Sequence, residues 1–283
     1  MKFCLPILLV LFVSCSNSLP ENTGQVDSQL YLGKGDNQPL IVALGGGDGG
    51  NSWTGNRVKM KRDKLVNSGY AFLAIGYFGT KNSPDVLDRI SLDAIHQEII
   101  EVAKNKKIDS DRVAILGISK GAELALLLAS HFEDISCVVA MAPSHCSFPA
   151  HTLSASTSSW TYQGEEVPYV PMPWSAVPAT ISHDLLSAFT IMLEDQEAVE
   201  NSFIKVENIK GSILLLSAKN DEQWPSTQMS NAIVERLQEK QFRFPYLHVA
   251  IDGKHSEVFD HFDNISTFLN KHFPPNNALF FTE

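Results

Sequence analysis

Short continuous apolar runs, separated by amphipathic stretches, set the rhythm of this chain. Pro39–Leu44 reads as a buried strand that runs into a Gly-rich loop, and Tyr70–Tyr77 as another, with a helix-like stretch from about Arg57 to Asn67 between them. Ser91–Lys106 places Leu92, Ile95, Ile99, Ile100 and Val102 at the spacing of an amphipathic helix. Arg112–Gly117 and Ile135–Met141 read as strands around a helix over Ala122–Ser130. Ser212–Ser217 precedes a helix over Ser226–Lys240, and Tyr246–Ile251 precedes a last helix near Glu257–Lys271. Strands with no polar alternation are covered on both faces. Their regular alternation with helices predicts an α/β protein with a mostly parallel sheet.

The stretch from about Pro143 to Ser202 breaks this rhythm. It holds six of the fourteen prolines, Trp160 and Trp174, and many Ser and Thr. A structureless connection of that length is uncommon unless it is functional. It reads as a cap-like insertion over the C-terminal edge of the sheet, where open α/β folds bind ligands; a decorated surface loop is the alternative.

Composition narrows the partners. The 283 residues carry 22 Lys and Arg against 32 Asp and Glu, a net charge of −10. With that balance and no evident Lys/Arg cluster, neither nucleic acid nor an anionic membrane surface is an expected partner. At the N-terminus, Met1-Lys2 precede an apolar run from Phe3 to Val13, about the length of a signal-peptide core and too short to span a bilayer. The run ends in Phe12-Val13-Ser14-Cys15, which resembles a bacterial lipobox with Phe12 where Leu is usual. The expected layout is therefore a signal peptide over 1–14, a tether over 15–30 carrying lipid on Cys15, and a domain over 31–283. A plain signal peptide is the alternative. Either version implies export, to the bacterial outer membrane or the periplasm, with a membrane partner only through the lipid anchor. Cys137 and Cys146 remain, and whether they are bridged stays open. No Cys-x-x-Cys or His-Glu-x-x-His spacing occurs, so no metal and no cofactor are expected.

Candidate chemistry centres on Gly117-Ile118-Ser119-Lys120-Gly121, a G-x-S-x-G placed between a strand and a helix. In that context the turn lifts the Ser119 hydroxyl above the sheet, and the helix N-terminus lends positive potential to a developing oxyanion. A serine nucleophile needs a base, and the base an orienting carboxylate, in the chain order Ser, acid, His. His255 lies in the polar loop after the last strand, whereas His248 sits inside that strand and His261 and His272 fall in the last helix. Asp221, in the loop after Ser217, is the best-placed acid, with Glu222 as rival and Asp252 third. The oxyanion hole is expected from the N–H of Lys120 and from the Gly45–Gly50 loop, at Gly47 and Asp48. A phosphate-binding reading of that loop fails, because Asn51 stands where the Walker pattern needs Lys.

With these motifs in place, the chain from about Pro39 to His272 resembles the C-terminal catalytic domain of acyl-CoA thioesterases and bile acid-CoA:amino acid N-acyltransferases, of α/β-hydrolase fold. The elbow Gly117–Leu124, the strand Gly69–Tyr77, Tyr162-x-Gly164-Glu165-x-x-Pro168 and Asp221-x-x-Trp224 fall in that family's order. The resemblance implies Ser119 as nucleophile, Asp221 as acid and His255 as base. Some relatives carry Cys as nucleophile and act as acyltransferases, so Ser119 favours transfer to water. The family's N-terminal β-sandwich domain is not expected before this segment, and an export signal is foreign to a coenzyme A enzyme.

The expected activity is a serine hydrolase that cleaves a small-molecule acyl ester or thioester through an acyl-enzyme. Trp160, Tyr162, Trp174 and Trp224 are the candidates to line an acyl-binding surface. An acyltransferase or peptidase on the same scaffold, or an inactive lipid-anchored binding protein, are the alternatives.

Overall fold

A computed structural model of the chain describes residues 19–276. Ten strands are present among them: β1 Asp27–Tyr31, β2 Gln38–Leu44, β3 Ala71–Gly76, β4 Ile90–Ser91, β5 Ile108–Ile118, β6 Ile135–Met141, β7 Trp160–Tyr162, β8 Glu165–Glu166, β9 Ser212–Ala218 and β10 Tyr246–Ile251. The helices are α1 Lys59–Asn67, α2 Leu92–Ala103, α3 Lys120–His131, α4 Val177–Ile181, α5 Leu185–Met192, α6 Gln196–Ser202, α7 Ser226–Glu239 and α8 Phe262–His272. The principal sheet has the order β1-β3-β2-β5-β6-β9-β10, parallel throughout except for β1.

Both faces of this sheet are apolar because successive residues along a strand point to opposite sides. On β2, Leu40, Val42 and Leu44 join one core while Ile41 and Ala43 join the other; Ile213/Leu215 and Leu214/Leu216 divide in the same way on β9. The first core takes in α2, α3 and α7, and the second takes in α1 and α8. Helix α3 is buried from Lys120 to Ala129, which is why its sequence is apolar around most of its circumference.

Two features depart from expectation. Asp27–Tyr31 pairs with β3, Asp27 opposite Gly76 and Tyr31 opposite Phe72, so the last four residues of the expected tether, 27–30, already belong to the sheet. The insertion is not a structureless loop. Its strands β7 and β8 join β4 in a small second sheet, and α4, α5 and α6 follow. A third apolar cluster of Cys146, Phe148, Val170, Ala176, Met192 and Leu193 packs it onto Trp224 and Met229. Cys137 and Cys146 are free, buried thiols. The signal segment and Cys15 lie outside the described residues.

Candidate active site

Ser119 sits between β5 and α3 with φ 56° and ψ −123°, a strained conformation for a residue with a side chain. The flanking glycines are required by contact distance. A Cβ on Gly117 would stand 2.0 Å from the Gly121 carbonyl oxygen, and one on Gly121 would stand 2.2 Å from that of Gly45. Both values lie well inside van der Waals contact, so the close approach of elbow to Gly-rich loop exists only without side chains there. The Ser119 hydroxyl is left without a hydrogen-bond partner among the described residues, facing a cavity of about 660 Å³.

Asp221 lies in the loop after β9, and His255 opens a short 3-10 helix, His255–His261, just after β10; the two strands are parallel neighbours whose ends meet at Ala218 and Ile251. The His255 Nδ1 donates to both Asp221 carboxylate oxygens, at 2.8 and 2.9 Å. The same carboxylate accepts the backbone N–H groups of Gln223, at 3.0 Å, and Trp224, at 3.2 Å. Asp221 is buried, and these three donors compensate its desolvation. Glu222 has a separate role, accepting the backbone N–H of His255 at 3.1 Å. Asp252 only accepts, at 3.4 Å, from the Asn220 amide on the surface. His248 bonds Ser217 Oγ through Nε2 at 2.7 Å and is a satisfied strand residue. His255 and Ser119 line the same cavity.

The loop after β2 closes over the elbow. Tyr77 Oη donates to the Gly45 carbonyl at 2.7 Å, and Trp53 Nε1 to the Leu44 carbonyl at 3.2 Å, fixing the loop from beneath. Gly46, Gly47, Asp48 and Lys120 line the cavity beside Ser119. Among the described residues, the N–H groups of these four make no hydrogen bond to the protein.

Below the elbow lies a buried polar node. Lys120 Nζ donates to Glu123 Oε1 at 2.7 Å, and that oxygen also accepts the Trp160 indole N–H at 2.6 Å and the Phe148 N–H at 3.3 Å. Ser144 Oγ donates to the other Glu123 oxygen at 3.3 Å. Burial pulls the Lys120 ammonium below its ordinary pKa, against the opposing pull of Glu123. The node ties α3 to the first part of the insertion. Nothing in the spacing of the G-x-S-x-G elbow singles out Glu123 for this role.

Of the four aromatic candidates for the acyl surface, Trp224 alone lines the cavity. Trp224 is anchored by its indole N–H on the Ala142 carbonyl at 3.1 Å and lies 6.0 Å from the His255 ring. Trp160 is buried against Tyr77 and Lys120, with its polar edge on Glu123. Tyr162 packs on His131 and Phe132, and Trp174 projects into solvent. The apolar wall is instead built by Phe148, Met172, Ala188, Phe189 and Met192, with Phe189 stacked edge-on against Phe148 and Trp224. His151 also stands at this wall; the atoms crowding its ring and the Lys120 charge hold its pKa low. At the mouth, Arg57 and Lys61 of the α1 region face the opening. Sequence periodicity had no access to these residues, because the insertion's short helices show no register of their own. Among the described residues, no group of His, Cys, Asp or Glu is arranged to hold a metal ion.

This sheet order, the strained Ser elbow after β5, and an acid and a His just after β9 and β10 define an α/β-hydrolase fold. Solved structures of that class superpose on the chain. The Pyrococcus horikoshii acylaminoacyl peptidase matches with a TM-score of 0.63 at 14% identity, covering 90% of this chain and 41% of the peptidase. The acetyl xylan esterase of Paenibacillus sp. R4 matches with a TM-score of 0.55 at 17% identity, covering 88% and 80%. Residues 96–253 match the family model described as BAAT / Acyl-CoA thioester hydrolase C terminal, and the chain belongs to that family. Human acyl-coenzyme A thioesterase 1 is 25% identical over 231 residues, which are 81% of this chain and 51% of the relative. The chain thus spans about half the length of that relative.

Proposed function

We propose that this protein is a serine hydrolase that cleaves acyl esters or thioesters with Ser119 as nucleophile, His255 as base and Asp221 as the acid that orients it. The observation that carries this reading is the Asp221–His255 pair, at 2.8 Å, with the His255 ring on the wall of the cavity that Ser119 faces and Asp221 buried behind it. With Nδ1–H engaged by Asp221, His255 presents Nε2 as a free acceptor, the tautomer that takes the Ser119 proton as Oγ attacks the acyl carbon. The oxyanion that forms would meet the N–H of Lys120 and those of the Gly46–Asp48 segment. The protonated His255 then gives its proton to the leaving oxygen or sulfur. Water, deprotonated by the same imidazole, releases the acyl group and restores Ser119.

The relatives named as acyl-coenzyme A thioesterases and the apolar wall of Phe148, Phe189, Met192 and Trp224 support an acyl substrate. An N-terminal export signal over 1–14, with lipid on Cys15, belongs to the same proposal. It is checked by fatty-acid labelling that is lost in Cys15→Ser.

The test is labelling with a fluorophosphonate, which requires an activated serine. Wild type should label and hydrolyse p-nitrophenyl esters. Ser119→Ala should lose both by on the order of 10³-fold or more while melting like the wild type. Undiminished turnover in Ser119→Ala would overturn the mechanism. One acyl group compared on p-nitrophenol, on a small thiol and on coenzyme A then assigns the leaving group.

A further inference from the structure

The rim of the cavity differs in charge and polarity from the rest of the molecule. Residues 57–64 read Arg-Val-Lys-Met-Lys-Arg-Asp-Lys, a basic segment that corrects the expectation of a chain without a Lys/Arg cluster, although the net charge is −10. Arg62 is internal, donating to the Tyr31 hydroxyl and the Trp53 and Thr54 carbonyls. Arg57, Lys59, Lys61 and Lys64 reach solvent. Arg57 and Lys61 line the cavity mouth, and Lys64 lines the groove beside it. Four acids stand with them. Asp63 pairs with Lys59 and with Arg62, Asp263 pairs with Lys64, and Asp48 and Asp260 line the cavity. Among the residues that line the cavity and the groove beside it, the cations Arg57, Lys61 and Lys64 are matched by Asp48, Asp260 and Asp263, so the chain's negative charge lies on the remaining surface.

The other lip is almost uncharged. From Ser147 to His183, Glu165 and Glu166 are the only Asp, Glu, Lys or Arg residues, and Glu166 is held by the Ser158 N–H at 2.7 Å. Large apolar side chains project from the same lip. Leu153 stands between the mouth residues Thr152 and Ala155, Trp174 two positions after Met172, and Ile181 beside Thr180; Met60 neighbours Lys61 across the opening. They are 108%, 90%, 75% and 85% exposed, in that order. Single exposed apolar residues are ordinary, but four that neighbour the residues lining one cavity point to an interaction surface.

We infer that this rim docks on an electrically neutral phospholipid surface, with Trp174, Ile181, Leu153 and Met60 entering the headgroup region and the cavity opening toward the acyl chains. A balanced set of cations and acids complements zwitterionic headgroups. An exposed Trp beside aliphatic side chains suits the lipid–water boundary, and long Lys and Arg stems reach outward from it. The acidic remainder of the chain would be repelled by an anionic bilayer, so anionic lipid is not the partner. The inference concerns binding and stands apart from the proposed catalysis.

The experiment uses the full chain and phosphatidylcholine vesicles. Trp53 and Trp160 are fully buried and away from the cavity, whereas Trp224 lines it, so the Trp174 signal is read as the difference in emission change between wild type and Trp174→Phe on adding vesicles. Emission should shift to the blue and be quenched by brominated acyl chains, and Trp174→Phe should remove most of both effects. Replacing a third of the lipid with phosphatidylglycerol should leave binding unchanged or weaken it at low salt. Leu153→Asp combined with Ile181→Asp should lower vesicle affinity on the order of ten-fold or more, with an unchanged melting curve. Vesicle binding without a Trp174 response would place the contact on another segment and overturn the inference. So would unchanged affinity in the double variant, a requirement for anionic lipid, or a lipid-free dimer that buries Trp174.

Discussion

The Asp221 carboxylate holds the His255 ring through Nδ1 at 2.8 and 2.9 Å, while the adjacent Glu222 accepts only the backbone N–H of His255. Adjacent acids thus act on different parts of one residue. One sets the tautomer and rotation of the imidazole, and the other steadies the loop that carries it.

That division predicts unequal effects of removing the two charges. Asp221→Asn should lower kcat/KM for an activated ester by on the order of 10³–10⁴-fold, because the amide no longer stabilises the imidazolium and can select the wrong tautomer. Glu222→Gln keeps an acceptor for the backbone N–H, so its loss should stay within about ten-fold. Steady-state kinetics on the two variants checks this. Equal losses would reassign the acid.

Glu123 is predicted to matter for stability, because it is the partner of a buried ammonium. Glu123→Ala strands Lys120, the Trp160 indole N–H and the Phe148 N–H without their acceptor, and should cost about 3–5 kcal/mol. Combining Glu123→Leu with Lys120→Met removes both charges and should recover much of that loss, since a buried pair need not be net stabilising against apolar replacements. Urea unfolding of wild type and both variants decides it. The reading fails if the double replacement is as unstable as Glu123→Ala.

The cavity wall should set acyl-chain length. Ala188 and Phe189 both line the cavity, next to each other on α5. Ala188→Leu shortens the space and Phe189→Ala lengthens it, so the two should move chain preference in opposite directions. A change on the order of ten-fold in the ratio of kcat/KM for a ten-carbon over a four-carbon p-nitrophenyl ester is expected for each, given what one or two methylenes are worth in an apolar pocket. Parallel shifts in both variants would place the acyl chain elsewhere.

His145 predicts an acid-sensitive stability. It is buried against Phe203, with Nδ1 unpaired among the described residues, and burial lowers its pKa from 6.5 to about 4. The unfolded chain therefore binds a proton that the folded chain refuses between those two values. The neutral ring's contribution is complete above the unfolded value of 6.5 and is lost as pH falls toward 4, by on the order of 3 kcal/mol. His145→Gln should flatten the fall in unfolding free energy between pH 7 and 4.5. An unchanged slope would assign the acid lability to other groups.

Much of this molecule was decided by local chemistry and is legible in the chain. Continuous apolar runs such as Ile135–Met141 became strands because their residues fill both faces of a sheet, and Gly117-x-Ser119-x-Gly121 became an elbow because no side chain fits at its flanks. The segments holding Asp221 and His255 could be placed after their strands by the same periodicity. Tertiary structure decided what met what. The Asp221–His255 contact exists because β9 and β10 pair in parallel and bring their following loops together, a long-range register that no local pattern encodes. Trp160 and Trp224 are equally aromatic in sequence, yet the buried Glu123 draws the first into the core and the Ala142 carbonyl anchors the second at the cavity. The polar pentapeptide of β1 became a strand because β3 offered it an edge. The sparse apolar residues of the insertion became a cavity wall only once they had Trp224 to pack against.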